Sequence, residues 1–164
     1  MRIEQEDDEM RIILDGMGGD NAPAAVVEGA VLAMKEMPHE IVFVGQEEVI
    51  REELKKYKYN EAQVSIVDAR EVISNDEAPV RAVRSKKDSS IVKGINMVKN
   101  GEGDIFISAG STGALLSGGL FILGRIQGID RPALACIYPI VGGRASLLVD
   151  AGANSECKPN NLLE

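Results

Sequence analysis

Short apolar runs alternate with amphipathic stretches along most of the chain, and few folds other than a mostly parallel sheet covered by helices accept that alternation. Parallel strands are buried on both faces, so they read as unbroken apolar runs, and the crossovers between them read as helices with one apolar stripe. Residues 12–15, 41–44, 64–67 and 104–108 are predicted as the first four strands, with 133–138 and 146–150 as further ones. Pro23 suits the first turn of a helix in which Val27, Ala30, Val31 and Met34 repeat at i, i+3, i+4 and i+7, and Pro38 ends it. Residues 46–57 read as a charged helix with Ile50, Leu54 and Tyr57 inward. From 68 to 85 the signal is weak, and Asn75, Asp76 and Pro79 mark a loop with a short helix at most. The next helix carries Ile91, Val92, Ile95 and Val98 as its stripe, takes Ser89 or Asp88 as its cap, and stops at Asn100-Gly101. Residues 112–125 are predicted as one more helix, and Lys158-Pro159 as a loop entering another. An α/β unit that stops at a strand exit has not finished its covering layer, so the front part of a longer protein is expected.

A chain of 164 residues can bury a core without metal or disulfide staples, and 45% hydrophobic with 27% charged residues is a globular composition. Half of the net charge of −8 lies before Met10, where Glu4, Glu6, Asp7, Asp8 and Glu9 face only Arg2. Residues 1–9 are read as a solvated, disordered acidic leader and 10–164 as the folded portion; the leader lacks the apolar or basic pattern of an export or transit signal. No apolar run approaches the roughly 18 residues of a membrane helix. Cys136 and Cys157 are too few for a disulfide framework, which suits a reducing cytoplasm; Cys136 is expected in the core and Cys157 as a bystander. One histidine, His39, and no CxxC or HxxxH spacing leave a zinc site almost without candidate ligands, and the negative charge disfavours nucleic acid.

Ligands of open α/β sheets gather at the carboxyl ends of the strands, and three loops there are unusual. The first, Asp15-Gly-Met-Gly-Gly-Asp-Asn21, is either a tight turn or a close approach to a ligand; it lacks the GxGxxG spacing of a dinucleotide fingerprint. The second, Ser108-Ala-Gly-Ser-Thr-Gly-Ala114, opens a helix, so it reads either as an anion site made by backbone N–H groups and two hydroxyls or as a simple Ser111 or Thr112 cap. The third is Asp150-Ala-Gly-Ala-Asn154, where Asn154 could orient a ligand or close an Asx-turn. All three are expected at one sheet edge. Arg81, Arg84, Lys86, Lys87, Lys93 and Lys99 face one acid, Asp88, over the same stretch, which suits either an acidic ligand or protein or a solvated helix face. His39 lies away from these loops, so a Ser-His-Asp or Cys-His arrangement would have to borrow its base from sequence outside this chain; in an acyl transfer the nucleophile would be a bound substrate.

Taken in order, Asp15-Gly-Met-Gly-Gly-Asp-Asn-Ala-Pro23, Pro79-Val-Arg-Ala-Val-Arg84 with Lys86-Lys-Asp-Ser-Ser90, Ser108-Ala-Gly-Ser-Thr-Gly-Ala114, Gly128-Ile-Asp-Arg-Pro-Ala-Leu134 and Asp150-Ala-Gly-Ala-Asn154 resemble the bacterial PlsX-type phosphate acyltransferases. The resemblance runs from Met10 to the end, in a family roughly twice this length. It implies a three-layer α/β/α sandwich related to isocitrate dehydrogenases and phosphotransacetylases, usually dimeric. The implied reaction turns an acyl-acyl carrier protein and inorganic phosphate into an acyl phosphate and free carrier protein, for phospholipid synthesis, with no cofactor. It also implies a cytoplasmic protein that associates peripherally with the membrane through a segment beyond Glu164. On this reading Ser111, Thr112 and Gly113 take phosphate or oxyanion contacts, with Gly18, Gly19, Asn21 and Gly110 beside them. Lys87 neutralises charge, and Asp20 with Asn154 orients substrate or handles protons. The sequence departs from the family pattern at Gly16, Asn21 and Ser111, where the family carries alanine, histidine and asparagine; a histidine base in the first loop therefore does not hold here. The rival readings are a phosphotransacetylase using acyl-coenzyme A, a binding or dimerisation piece without turnover, and, less favoured for want of the fingerprint, a nicotinamide dehydrogenase.

Overall fold

A computed structural model of the protein describes residues 9–154 and 158–162; most of the acidic leader and Cys157 lie outside them. Four parallel strands, β1 (Arg11–Asp15), β2 (Glu40–Gly45), β3 (Val64–Asp68) and β4 (Ile105–Ile107), form one sheet in the order β3-β2-β1-β4. Ile12 pairs with Ile41 on one side and with Ile105 on the other, which makes β1 a central strand. Alternate residues serve opposite faces. Ile41 and Phe43 pack with Leu14 beneath α1 (Ala24–Ala33) and α2 (Glu47–Leu54), while Ile13, Val42 and Val44 pack with Met97 of α4 (Ser90–Lys99). Two helical layers with a sheet between them are the expected three-layer sandwich. Phe43 and Ile13 are fully buried, and each such side chain stabilises the fold by about 1.5–3 kcal/mol.

The helices follow their stripes. Val27, Ala30 and Val31 are the buried positions of α1, and Ile50 and Leu54 those of α2, which ends before the half-buried Tyr57. Ser89 caps α4, its Oγ accepting the Val92 N–H at 3.4 Å, a contact that typically contributes about 1 kcal/mol. The weak segment does contain a short helix, α3 (Pro79–Ser85), with proline at its first position where the missing N–H costs nothing. α5 (Thr112–Gly118) is shorter than predicted: five residues of π-helix, Gly119–Leu123, follow it, and Gly124 closes the run.

The largest correction concerns the last two strands. β5 (Ala135–Ile140) and β6 (Arg144–Val149) pair with each other, antiparallel, in a separate two-stranded sheet. Gly142 and Gly143, both at positive φ (91° and 72°), turn the chain back between them, and three residues cannot make a parallel crossover. The Asp150 loop therefore stands at the end of this hairpin and not at the carboxyl edge of the parallel sheet. Cys136, expected in the core, is only half-buried on the hairpin. Residues 159–162 form a 3-10 turn where a further helix was expected to begin.

Candidate functional site

The chain winds from β1 to β2 to β3 in one direction, and β4 then returns to the other side of β1. The switch point of the sheet thus lies between β1 and β4, where adjacent strand exits diverge and leave a crevice. Both of the first two glycine loops leave from it. Asp15 ends β1 and is 1% exposed; its Oδ1 accepts the Met17 N–H at 3.1 Å and its Oδ2 accepts the Ser108 hydroxyl at 2.7 Å. The Ser108 Oγ in turn accepts the Gly110 N–H at 3.0 Å. This relay links two loops that are far apart in sequence.

Their backbones pack closely enough to require glycine. The Gly18 Cα lies against Gly110, and a Cβ on Gly18 would stand 2.9 Å from the Gly110 nitrogen. Gly19 adopts φ of 104° with Ala109 beside it, a conformation that glycine takes without strain. Beyond them Ser111, 6% exposed, caps α5 by accepting the Ala114 N–H at 3.3 Å. The cap uses an Oγ lone pair and leaves the hydroxyl proton to donate, while the N–H groups of Thr112 and Gly113 open the helix with no carbonyl one turn before them. Gly113 meets Pro79, so the start of α3 lies against the start of α5. Asp20 and Asn21 are exposed and line the mouth of an open groove of about 530 Å³ that runs from this crevice along α1. The structure thus gathers Gly18, Gly19, Asp20, Asn21, Gly110, Ser111, Thr112 and Gly113.

Lys87 and Asn154 stand elsewhere. Lys87 lies past the far end of α3 from Pro79, with its ammonium donating to the Val83 carbonyl at 3.2 Å. Two other bases of the cationic stretch are paired: Lys86 with Glu77 at 2.7 Å and Lys93 with Asp88. The Lys86 ammonium holds the Glu77 carboxyl below its ordinary range, aided by the Ser74 N–H. Arg84 lies over the Phe121 ring, 5.4 Å from its centroid. Asn154 belongs to the hairpin, where its Nδ2 donates to the Asp150 carboxylate at 2.9 Å and to the Pro132 carbonyl at 3.1 Å. His39 accepts from the Met10 N–H beside the opposite strand ends.

Asp150 is the hairpin's organising group. Its carboxylate accepts N–H bonds from Leu134, Ala153 and Asn154. These, the Leu134 bond first, with the Asn154 amide, hold its pKa at about 2 against an ordinary 3.8. A depressed carboxylate pKa means that the stabilisation is complete above the ordinary value and fades as pH falls toward the folded one. The amide resonances of Leu134, Ala153 and Asn154, followed from about pH 5 downward, are expected to move together with a midpoint near 2, and Asp150→Asn is expected to abolish that step. A midpoint near 4 would contradict this hydrogen bonding.

Asp15 and Ser108 are the site residues that sequence reasoning missed. Their one signal was a carboxylate and a hydroxyl at the ends of two apolar runs; their partnership depends on β4 returning beside β1.

A parallel sheet with helices on both faces and two glycine loops locked together at its switch point defines a doubly wound α/β protein with a candidate ligand crevice at the carboxyl edge. The chain belongs to the family described as fatty acid synthesis protein, which matches residues 10–164. It is 50% identical over 155 residues to the phosphate acyltransferase of Clostridioides difficile (strain 630). It is 53% identical to that of Alkaliphilus oremlandii (strain OhILAs) and 54% to that of Clostridium kluyveri (strain NBRC 12016). Each of these alignments covers 94% of this chain and 46% of the relative, so the chain spans about half the length of the curated relatives it matches.

Proposed function

We propose that this chain forms part of a phosphate acyltransferase that converts an acyl-acyl carrier protein and inorganic phosphate into an acyl phosphate and free carrier protein, for phospholipid synthesis. The observation that carries the reading is the packing of Gly18 and Gly19 onto Ala109 and Gly110 at the switch point, in a chain half identical to phosphate acyltransferases. The thioester is already activated. Hydrogen phosphate attacks its carbonyl carbon, a C–O bond forms, the C–S bond breaks, and the phosphate proton passes to the departing sulfur. Positioning and charge stabilisation supply most of the catalysis in such a step, and no protein nucleophile is required.

In this reading the N–H groups of Thr112 and Gly113 and the hydroxyls of Ser111 and Thr112 hold the phosphate or the developing oxyanion, with Gly110 beside them and Gly18, Gly19 and Asn21 walling the other side. Asp20 orients the reacting groups at the mouth of the crevice. Asn154 and Lys87 join the site through substrate: Asn154 by its carbonyl oxygen, and Lys87 as a cation toward the acidic carrier protein or phosphate. The resemblance also supports a cytoplasmic homodimer that meets the membrane through the part of the family's length that this chain does not span.

The test is phosphate-dependent thiol release with the acyl phosphate trapped by hydroxylamine, using this chain extended with the remainder of the Clostridium kluyveri relative. Acyl-acyl carrier protein is expected to turn over, and Lys87→Ala to raise the phosphate requirement. Preference for acyl-coenzyme A at equal concentration would replace the carrier-protein assignment, and binding without acyl phosphate would favour a non-catalytic role. An unchanged phosphate requirement in a folded Lys87→Ala protein would remove that lysine's part.

A further inference from the structure

We propose that Asp15 and Ser108 decide which oxyanion the crevice accepts: they present a hydrogen-bond acceptor that only an ion carrying its own O–H can meet. The inference deepens the phosphate reading above and rests on it. A serine hydroxyl has one proton to donate and two lone pairs with which to accept. At Ser108 the proton is committed, since the hydroxyl donates to the Asp15 Oδ2 at 2.7 Å. One lone pair is committed too, to the Gly110 N–H at 3.0 Å. What Ser108 retains for a ligand is a single acceptor position. Asp15 keeps it so. Both of its oxygens accept, Oδ1 from the Met17 N–H and Oδ2 from Ser108, so the hydroxyl cannot turn its proton outward without leaving a carboxylate that is 1% exposed short of a donor.

Both side chains line the groove where it opens from the crevice, and Ser108 is half-buried there. A site built to take a hydrogen bond from its ligand rejects the analogue that lacks the donor, because two acceptors are then left facing each other. Hydrogen phosphate and sulfate have nearly the same size and, at about pH 8, nearly the same charge, but hydrogen phosphate keeps one O–H and sulfate has none. Phosphate can therefore give its O–H to Ser108, and the oxygen that attacks the thioester is then one of those that carry no proton. Sulfate meets the same Ser108 oxygen with a lone pair. Arsenate, which keeps an O–H, belongs with phosphate. Ser108 is thus a specificity residue, and Asp15 a positioning residue that acts through it.

Asp15→Asn tests this with little change of shape. The asparagine Oδ1 still accepts the Met17 N–H while its amide donates to the Ser108 Oγ, which releases the Ser108 proton toward the ligand. In the labelled 164-residue chain, the amide resonances of Gly110 and Thr112 are expected to saturate with phosphate and with arsenate at concentrations at least about tenfold below that for sulfate. In Asp15→Asn that ratio is expected to fall to about one or to invert, and Ser108→Ala, which removes the acceptor, is expected to abolish the preference as well. In the chain extended with the remainder of the Clostridium kluyveri relative, sulfate is expected to inhibit phosphate-dependent thiol release by Asp15→Asn at a concentration that leaves the parent unaffected. A merely structural Asp15 would weaken both anions alike, so an unchanged ratio in Asp15→Asn would overturn the proposal, as would equal binding of phosphate and sulfate by the parent. Absence of any saturable phosphate response at Gly110 and Thr112 would overturn it together with the reading on which it rests.

Discussion

Gly18→Ala is expected to force the two glycine loops apart. The added Cβ would stand 2.4 Å from the Asp15 Oδ2 and 2.9 Å from the Gly110 nitrogen. Neither neighbour is the end of a flexible chain: one is a buried carboxylate held by two hydrogen bonds, the other is backbone. Overpacking of this kind typically costs about 1–3 kcal/mol, and here relief requires moving a loop. Gly16→Ala is the natural contrast, because its Cβ would meet the Ile50 Cδ1 at 2.7 Å and that methyl can turn away. Urea unfolding is expected to show the larger loss for Gly18→Ala, together with displaced amide resonances at Gly110 and Thr112. Equal midpoints for the two variants, with Gly110 undisturbed, would show that the loops do not meet as described.

Asp15→Ala is expected to be the most destabilising change outside the apolar core. It takes the acceptor from two part-buried donors, the Met17 N–H and the Ser108 hydroxyl, at about 0.5–1.5 kcal/mol each. Ser108→Ala removes one step of the same relay and leaves the Gly110 N–H without its acceptor. Because both side chains act through one hydrogen bond, their effects are expected to fall short of additivity by more than about 0.5 kcal/mol in a double-mutant cycle. Additive effects, or an Asp15→Ala loss below about 0.5 kcal/mol, would show that the carboxylate is not the tie between β1 and β4.

What was legible in the sequence is what local chemistry determines. The runs around Ile13 and Phe43 read as parallel strands because both faces of each are apolar, and Pro79 and Ser89 announce helix starts through their own backbone and hydroxyl chemistry. Pairing direction is not local. Residues 133–138 and 146–150 read as two more strands of the same sheet, and the available signal against that was the short connection with Gly142-Gly143. The apolar run Leu120 to Leu123 likewise extended the predicted helix past Gly118, where α-helical bonding gives way to a π-helix.

The candidate site divides in the same way. Gly18, Gly19, Gly110 and Ser111 declare themselves by residue type, but their closeness follows from the order β3-β2-β1-β4, which no spacing reveals. Asp15 looks like an ordinary strand end until Ser108 is placed beside it. The charge count over 81–99 left out Glu77, which pairs with Lys86 across a turn that the sequence does not display, while Asp88, the one acid counted there, pairs with Lys93. Asn154 shared a glycine-rich setting with the other two loops and yet belongs to a separate hairpin.

The central claim is that the crevice between β1 and β4 holds inorganic phosphate. Titration of the isotopically labelled 164-residue chain with phosphate, followed by amide resonances, tests it most directly. Saturable shifts concentrated at Gly18, Gly19, Gly110, Thr112 and Gly113, and lost in Gly18→Ala, are the predicted result. Shifts confined to Arg81, Arg84 and Lys87, or the same response in Gly18→Ala, would contradict it.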